Sequence, residues 1–213
     1  MIHNISAAVF DFDGTLVDSE EIKRQTFFDI TVDIPNAEFL VNQLLNCFPP
    51  LDRHQISRHI AESTQPAEIA AEVANELVDK YSRICRERIG EAPDIRGAQD
   101  LILAFDDLSI PVFISSATPT EELKKLVEVR SWAIIVREVF GSPKKKIEHL
   151  ETIHSYVGGA KEAILLVGDS LNDHDAARHF GCAFAALGAA RSLRPYANFE
   201  GEDLMAIRNQ LFR

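Results

Sequence analysis

The chain of 213 residues carries 46% hydrophobic and 26% charged side chains, the make-up of a globular protein rather than a disordered or fibrous one. Its 33 acidic residues against 22 basic ones leave a formal net charge of −11, which repels phosphate backbones and anionic bilayers and argues against nucleic acid or a membrane as partner. Three widely spaced cysteines, Cys47, Cys85 and Cys182, fit neither a disulfide framework nor a thiolate zinc site. With no leader-like start and no apolar run near the roughly 20 residues that span a bilayer, the expected location is cytoplasmic.

The first element is a short apolar run, Ala7-Ala8-Val9-Phe10, ending at Asp11 and followed by Gly14, the pattern of a buried parallel strand entering a turn. From about residue 20 to 94 the texture changes: no alternating strand stands out, and apolar positions recur at helical spacing. Ile69, Val73, Leu77, Tyr81 and Ile84, between Pro66 and Gly90, are the clearest case. This predicts an all-helical insert, and residues 16–95 also hold −7 of the −11 net charge.

A second apolar run, Ile110-Pro111-Val112-Phe113-Ile114, ends in Ser115-Ser116. A helix follows over 120–129, with Thr120 as N-cap and Glu121 and Glu122 in its first turn, and another over 144–154. The third run, Ala163-Ile164-Leu165-Leu166-Val167, ends in Gly168-Asp169; a helix over 173–180, stopped by Gly181, leads to the fourth, Cys182-Ala183-Phe184-Ala185-Ala186. Strands alternating with helices predict an α/β fold, a doubly wound parallel sheet of Rossmann-like type, formed by 1–18 and 95–213, with an inserted helical domain at 19–94.

In an open α/β sheet, ligands bind beyond the carboxyl ends of the strands. Those ends carry Asp11-Phe12-Asp13-Gly14-Thr15, Ser115-Ser116 and Gly168-Asp169-Ser170-Leu171-Asn172-Asp173, with Lys144-Lys145-Lys146 before the 144–154 helix. Three carboxylates converging on one sheet end repel unless a cation joins them, and Mg²⁺ is the common hard cation with oxygen ligands. A cation, a lysine and a hydroxyl together make a cradle for a phosphate group. A lone Asp-x-Asp is more often a solvated turn; four matched clusters at consecutive sites of the fold are not explained that way.

The run Val9-Phe10-Asp11-Phe12-Asp13-Gly14-Thr15-Leu16-Val17-Asp18-Ser19 resembles the first motif of the haloacid dehalogenase (HAD) superfamily. The Ser115/Ser116, lysine and Gly168-Asp169-Ser170-x-x-Asp173 clusters match its second, third and fourth motifs in order. The resemblance covers the whole chain, since the helical insert is similar to that superfamily's cap, as in the branch of phosphoglycolate phosphatases and beta-phosphoglucomutases. It implies Asp11 as the nucleophile that takes the phosphoryl group, a carboxylate that attacks without a separate base. Asp13 would be the general acid for the leaving alkoxide and then the base for water. Gly14 would let the backbone turn toward the phosphate, with Thr15 following it. The ligands of a Mg²⁺ ion would be the Asp11 carboxylate, the Asp13 backbone carbonyl and Asp169. Asp173 would hold a metal-bound water or pair with the motif lysine, or be a helix N-cap and nothing more.

The same resemblance favours Ser116 over Ser115 as the phosphate-binding hydroxyl, because Ser116 stands three residues before Pro119, with the Ala117 amide beside it. It places the motif lysine at Lys146, by the pattern Gly141-Ser142-Pro143-x-x-Lys146. On the insert, Arg53, His54, Arg58 and His59 follow Pro49-Pro50-Leu51, where such caps often contact substrate; an exposed helix face is the plainer reading. His174 and His179 have surface or packing roles. The expected function is a Mg²⁺-dependent phosphatase acting on a small phosphorylated metabolite. A phosphomutase and a non-catalytic phosphate-binding module are the alternatives, and no substrate loop in Cys47-Phe48-Pro49-Pro50 separates them. Dehalogenation is disfavoured, because Asp13 and a metal site have no clear job in displacing a halide.

Overall fold

The structure, a computed structural model, describes residues 4–47, 51–188 and 197–212; positions 48–50 of the segment just named lie outside them. The chain passes through β1 (Ala7–Phe10), then α1 (Glu20–Ile30), α2 (Ala37–Leu45), α3 (Arg53–Thr64) and α4 (Ala67–Glu91). It continues with α5 (Ala98–Asp106), β2 (Val112–Pro119), α6 (Thr120–Glu128), β3 (Val136–Ser142) and α7 (Lys146–Val157), and ends with β4 (Ile164–Gly168), α8 (Leu171–Phe180), β5 (Ala183–Leu187), β6 (Phe199–Gly201) and α9 (Leu204–Leu211). Two compact units result, Met1–Asp18 with Ala92–Arg213, and Ser19–Glu91.

The first unit is the α/β part. Its six strands are all parallel, in the order β3-β2-β1-β4-β5-β6. β1 lies centrally: Val9 is level with Phe113 of β2 and with Leu166 of β4. Every residue of β1 and β4 is buried, which is why both read as unbroken apolar runs. One packing layer joins Val9, Phe113, Leu150, Ile153, Leu166, Ala177 and Phe180. The polar clusters that follow β1 and β4, and Ser115 and Ser116 in the second half of β2, therefore lie side by side at one end of the sheet.

β3 and β6 escape the sequence reading for a physical reason. β3 is an edge strand with Arg137 and Glu138 exposed, so it shows no apolar run, and β6 has three residues. Element ends also move. Pro119 caps α6 while Thr120 is its first helical residue, and α7 begins at Lys146 rather than Lys144.

The second unit is helical throughout its described residues. Asp52 starts α3 through a capping box, its carboxylate accepting from the His54 and Gln55 amides. The buried stripe of α4 is Ala70, Leu77, Tyr81, Cys85 and Ile89, so Leu77 and Tyr81 lie where expected while Ile69 is exposed. Tyr81 stacks on Phe27 of α1 with centroids 4.3 Å apart. Residues 92–94 leave this unit because the core holds them. The Asp18 amide donates to Pro93 O, Arg130 donates to Ala92 O and to Asp94, and the Trp132 indole donates to Asp94 at 2.7 Å. Among the described residues no helix is long and apolar enough to cross a membrane. All three cysteines are free thiols, and burial pushes Cys182 up to a pKa of about 12, far from a reactive thiolate.

Candidate active site

The Asp11 amide donates to Val167 O at 2.9 Å, extending the β1–β4 pairing one step past the strand end. The chain then turns through Gly14, at φ 75°, and Asp11, Asp13 and Thr15 are all buried. The Thr15 hydroxyl donates to Asp169 at 2.8 Å. Its one proton is thereby directed at Asp169, and Thr15 orients that carboxylate.

Lys146 opens α7. Of the three consecutive lysines it alone is buried, with Lys144 and Lys145 exposed. Its Nζ donates to Asp11 Oδ1 at 2.6 Å and also to Asp173 Oδ1. A cation at a helix N-terminus is unfavourable with the helix dipole, and these two carboxylates offset that cost. Burial alone would depress the lysine pKa, but Asp11 and Asp173 outweigh it and raise it.

Asp173 is wholly buried. It does not cap α8: Ser170 does, and Asp173 answers as the N3 partner, its Oδ2 accepting from the Ser170 hydroxyl at 2.5 Å. Both carboxylate oxygens are thus engaged. Gly168 makes room for it, since a β-carbon there would run into the Asp173 side chain.

One carboxylate oxygen from each of Asp11, Asp169 and Asp173 falls within 4.8 Å of the others. Burial, first of all, drives the Asp11 carboxyl well above its ordinary range. Lys146 opposes this, while Asp173, Asp169 and Asp13 add to the rise. A site with this surplus of buried negative charge and hard oxygen donors suits a divalent cation. The Asp13 carboxylate is turned elsewhere, leaving only its main chain for the ligand role the resemblance implies.

Ser115 and Ser116 part company because neighbouring residues of a strand face opposite ways. The Ser115 hydroxyl pairs with Nδ1 of the buried His149 at 2.8 Å. Ser116 faces β1: its hydroxyl lies 3.3 Å from Asp13 Oδ2, and the Thr118 hydroxyl donates to the same oxygen at 2.8 Å. Ala117 between them is exposed. Arg53 is the first residue of α3, in the helical unit. His174 pairs with its neighbour Asp175 and packs edge-on against Phe184, and the exposed His179 pairs with a carbonyl of its own helix, in keeping with packing and surface roles.

Two residues at this site carry no motif signal, namely Thr118 and His149. Thr118 is two residues from Ser116, hence on its face of the strand, and His149 is one helical turn from Lys146; those spacings are the only hints the sequence contained.

The profile of the haloacid dehalogenase-like hydrolase family matches residues 8–187. A phosphoglycolate phosphatase of Chromobacterium violaceum is 27% identical over 204 residues, covering 88% of this chain and 86% of that protein. Among solved structures, a haloacid dehalogenase-like family hydrolase of Streptococcus pneumoniae superposes with a TM-score of 0.75 at 20% identity, over 99% of this chain and 100% of the other. A predicted phosphoglycolate phosphatase of Haemophilus somnus reaches 0.80 at 16% identity, over 99% of each chain. With the family profile covering β1 to β5 and every strand-end cluster inside it, the chain belongs to the haloacid dehalogenase-like hydrolases and is an enzyme of that family.

Proposed function

We propose that the chain is a Mg²⁺-dependent phosphatase that hydrolyses a small phosphorylated metabolite through an aspartyl-phosphate on Asp11. The observation that carries this reading is the Lys146 ammonium set between Asp11 and Asp173, with an Asp169 carboxylate oxygen alongside, at the carboxyl edge of β1 and β4. Such a lysine aims a positive charge at a transferring phosphoryl group and favours the ionised nucleophile, opposing the rise that burial imposes.

The Asp11 and Asp169 carboxylates and the Asp13 main chain would hold the cation, and Asp173 would steady the arrangement from behind through Lys146 and Ser170. When bound, the cation neutralises charge on the phosphoryl oxygens and removes the surplus negative charge of the pocket. Asp11 attacks phosphorus while Asp13 protonates the departing alkoxide. In the second half, Asp13 takes a proton from water as the water oxygen attacks phosphorus, which breaks the Asp11–phosphorus link and releases phosphate. Ser116 and the Ala117 amide bind phosphoryl oxygens. The helical unit serves as the cap domain in this reading.

The similarity to a phosphoglycolate phosphatase makes phosphoglycolate the first compound to assay. The purified protein is offered phosphoglycolate, a panel of metabolite phosphates and p-nitrophenyl phosphate, with Mg²⁺ and with excess chelator. Release of inorganic phosphate that needs Mg²⁺ and vanishes in Asp11→Asn supports the reading. Full activity in chelator, or an active Asp11→Asn, overturns it; conversion of a sugar phosphate to its isomer without phosphate release identifies a phosphomutase instead.

A further inference from the structure

The hydroxyls around Asp13 are not equivalent. The Ser116 hydroxyl lies 3.3 Å from Asp13 Oδ2 and that of Thr118 only 2.8 Å, while the Thr118 amide donates to Ser116 Oγ at 3.1 Å. Ser116 has a single proton to give. Once a phosphoryl oxygen arrives, that proton turns to it and Asp13 loses a partner. Thr118 keeps its own.

The backbone explains why Thr118 reaches Asp13 at all. The β2–β3 register shifts between Ser115 and Pro119, so the intervening residues leave the regular ladder. Gly141 of β3 packs tightly against them, where a β-carbon would strike the Thr118 carbonyl and the Thr120 amide. That contact fixes the segment that carries Thr118.

From this arrangement we infer that Thr118 is a positioning residue for the acid–base carboxylate, holding Asp13 by Oδ2 through the catalytic cycle. This rests on the phosphatase reading above. With Oδ2 engaged as an acceptor, the proton to be delivered is carried on Oδ1. In the first half of the reaction that proton passes to the alkoxide as the phosphorus–oxygen bond of the substrate breaks. In the second half Oδ1 recovers a proton from the attacking water. Thr118 neither gains nor loses a proton overall. It sets the rotation of the carboxylate, and a misrotated acid hurts most where the leaving group most needs a proton.

The test is leaving-group selectivity, measured as kcat/KM, which reports the steps up to departure of the first product. The wild type, Thr118→Val, Thr118→Ser and Asp13→Asn are compared on glycerol 2-phosphate, a poor leaving group, and on p-nitrophenyl phosphate, a good one. General acid catalysis is worth about 10²–10⁴-fold, so Thr118→Val should lose about tenfold on glycerol 2-phosphate and less than about threefold on p-nitrophenyl phosphate. Thr118→Ser should restore the wild-type ratio, and Asp13→Asn should show the same selectivity more strongly. A parallel loss on both substrates, no loss, or no rescue by serine overturns the role of Thr118 when Asp13→Asn stays selective. If Asp13→Asn is itself unselective, the acid assignment of Asp13 falls and the inference with it. Should Thr118→Val melt well below the wild type, Thr118→Ala read at low temperature decides by the same ratio.

Discussion

The two compact units bury polar groups in opposite ways. In the α/β unit the buried polar residues are Asp11, Asp13, Thr15, Ser115, Ser116, Lys146, His149 and Asp173. All lie at or just beyond one edge of the sheet, and charge runs through them from Asp11 to Lys146 to Asp173. In the helical unit, besides Ser19 at its start, the buried Thr26 and Thr31 return their hydroxyls to carbonyls of their own helix, at Ile22 and Phe27, and Ser57 Oγ has no hydrogen-bond partner among the described residues. Its charges, such as Arg88 with Asp29, are solvent-exposed, where such pairs contribute little stability. Buried charge is costly unless it is used, and here it gathers where phosphoryl chemistry needs it.

The largest effect should come from the centre of that cluster. Asp11→Asn is expected to lower turnover on the order of 10³-fold or more while leaving the melting temperature unchanged or higher, because it removes a carboxylate that burial disfavours. Kinetics beside a thermal melt checks this. An inactive protein that is also unfolded would mean the buried charge is structural and would erase the contrast between the units.

Lys146→Ala should follow, at roughly 10²–10³-fold in rate. Lys144→Ala and Lys145→Ala, exposed on the same segment, should stay within about twofold by the same reasoning. Equal damage from all three would show that burial does not select the working lysine.

The helical unit should answer to packing and not to polarity. Ile60, fully buried on α3, should cost about 2–5 kcal/mol on truncation to Ala. Thr31→Val, which removes only a hydroxyl bonded to its own helix, should cost about 1 kcal/mol or less. Urea unfolding followed by circular dichroism ranks the two, and the reverse order would reveal a polar interior that the contacts do not suggest.

The smallest effect is the pH dependence set by His149. Burial holds its pKa below the ordinary 6.5, Lys146 pushing the same way and the Gly141 backbone opposing. A group whose folded value is depressed contributes stability that is complete above the unfolded value and drains away as pH falls toward the folded one. Melting temperatures should therefore decline below about pH 6.5, and less so in His149→Asn, which keeps an acceptor for Ser115. Identical slopes would remove His149 as a source of acid sensitivity.

How much of this was legible beforehand follows from what each signal depends on. β1 and β4 could be read because both faces of a central parallel strand are covered and the sequence becomes wholly apolar. β3 could not, because an edge strand tolerates Arg137 and Glu138. The helical character of residues 20–94 was plain from spacing, yet its end moved to 91 and the buried side of α4 turned partly away from the apolar stripe, since packing decides which side is covered.

The site divides in the same way. Residue types and their order along the chain are local properties, so the sequence alone determined the family, the sheet class and the four polar clusters. Which of two adjacent serines meets Asp13, which of three lysines is drawn inside, and that Thr15, Thr118 and His149 are partners of the working groups depend on strand facing, on the first turn of α7 and on contacts between residues 34 to 154 positions apart. Long-range packing chooses among side chains that local chemistry leaves equivalent, and only the tertiary structure contains it.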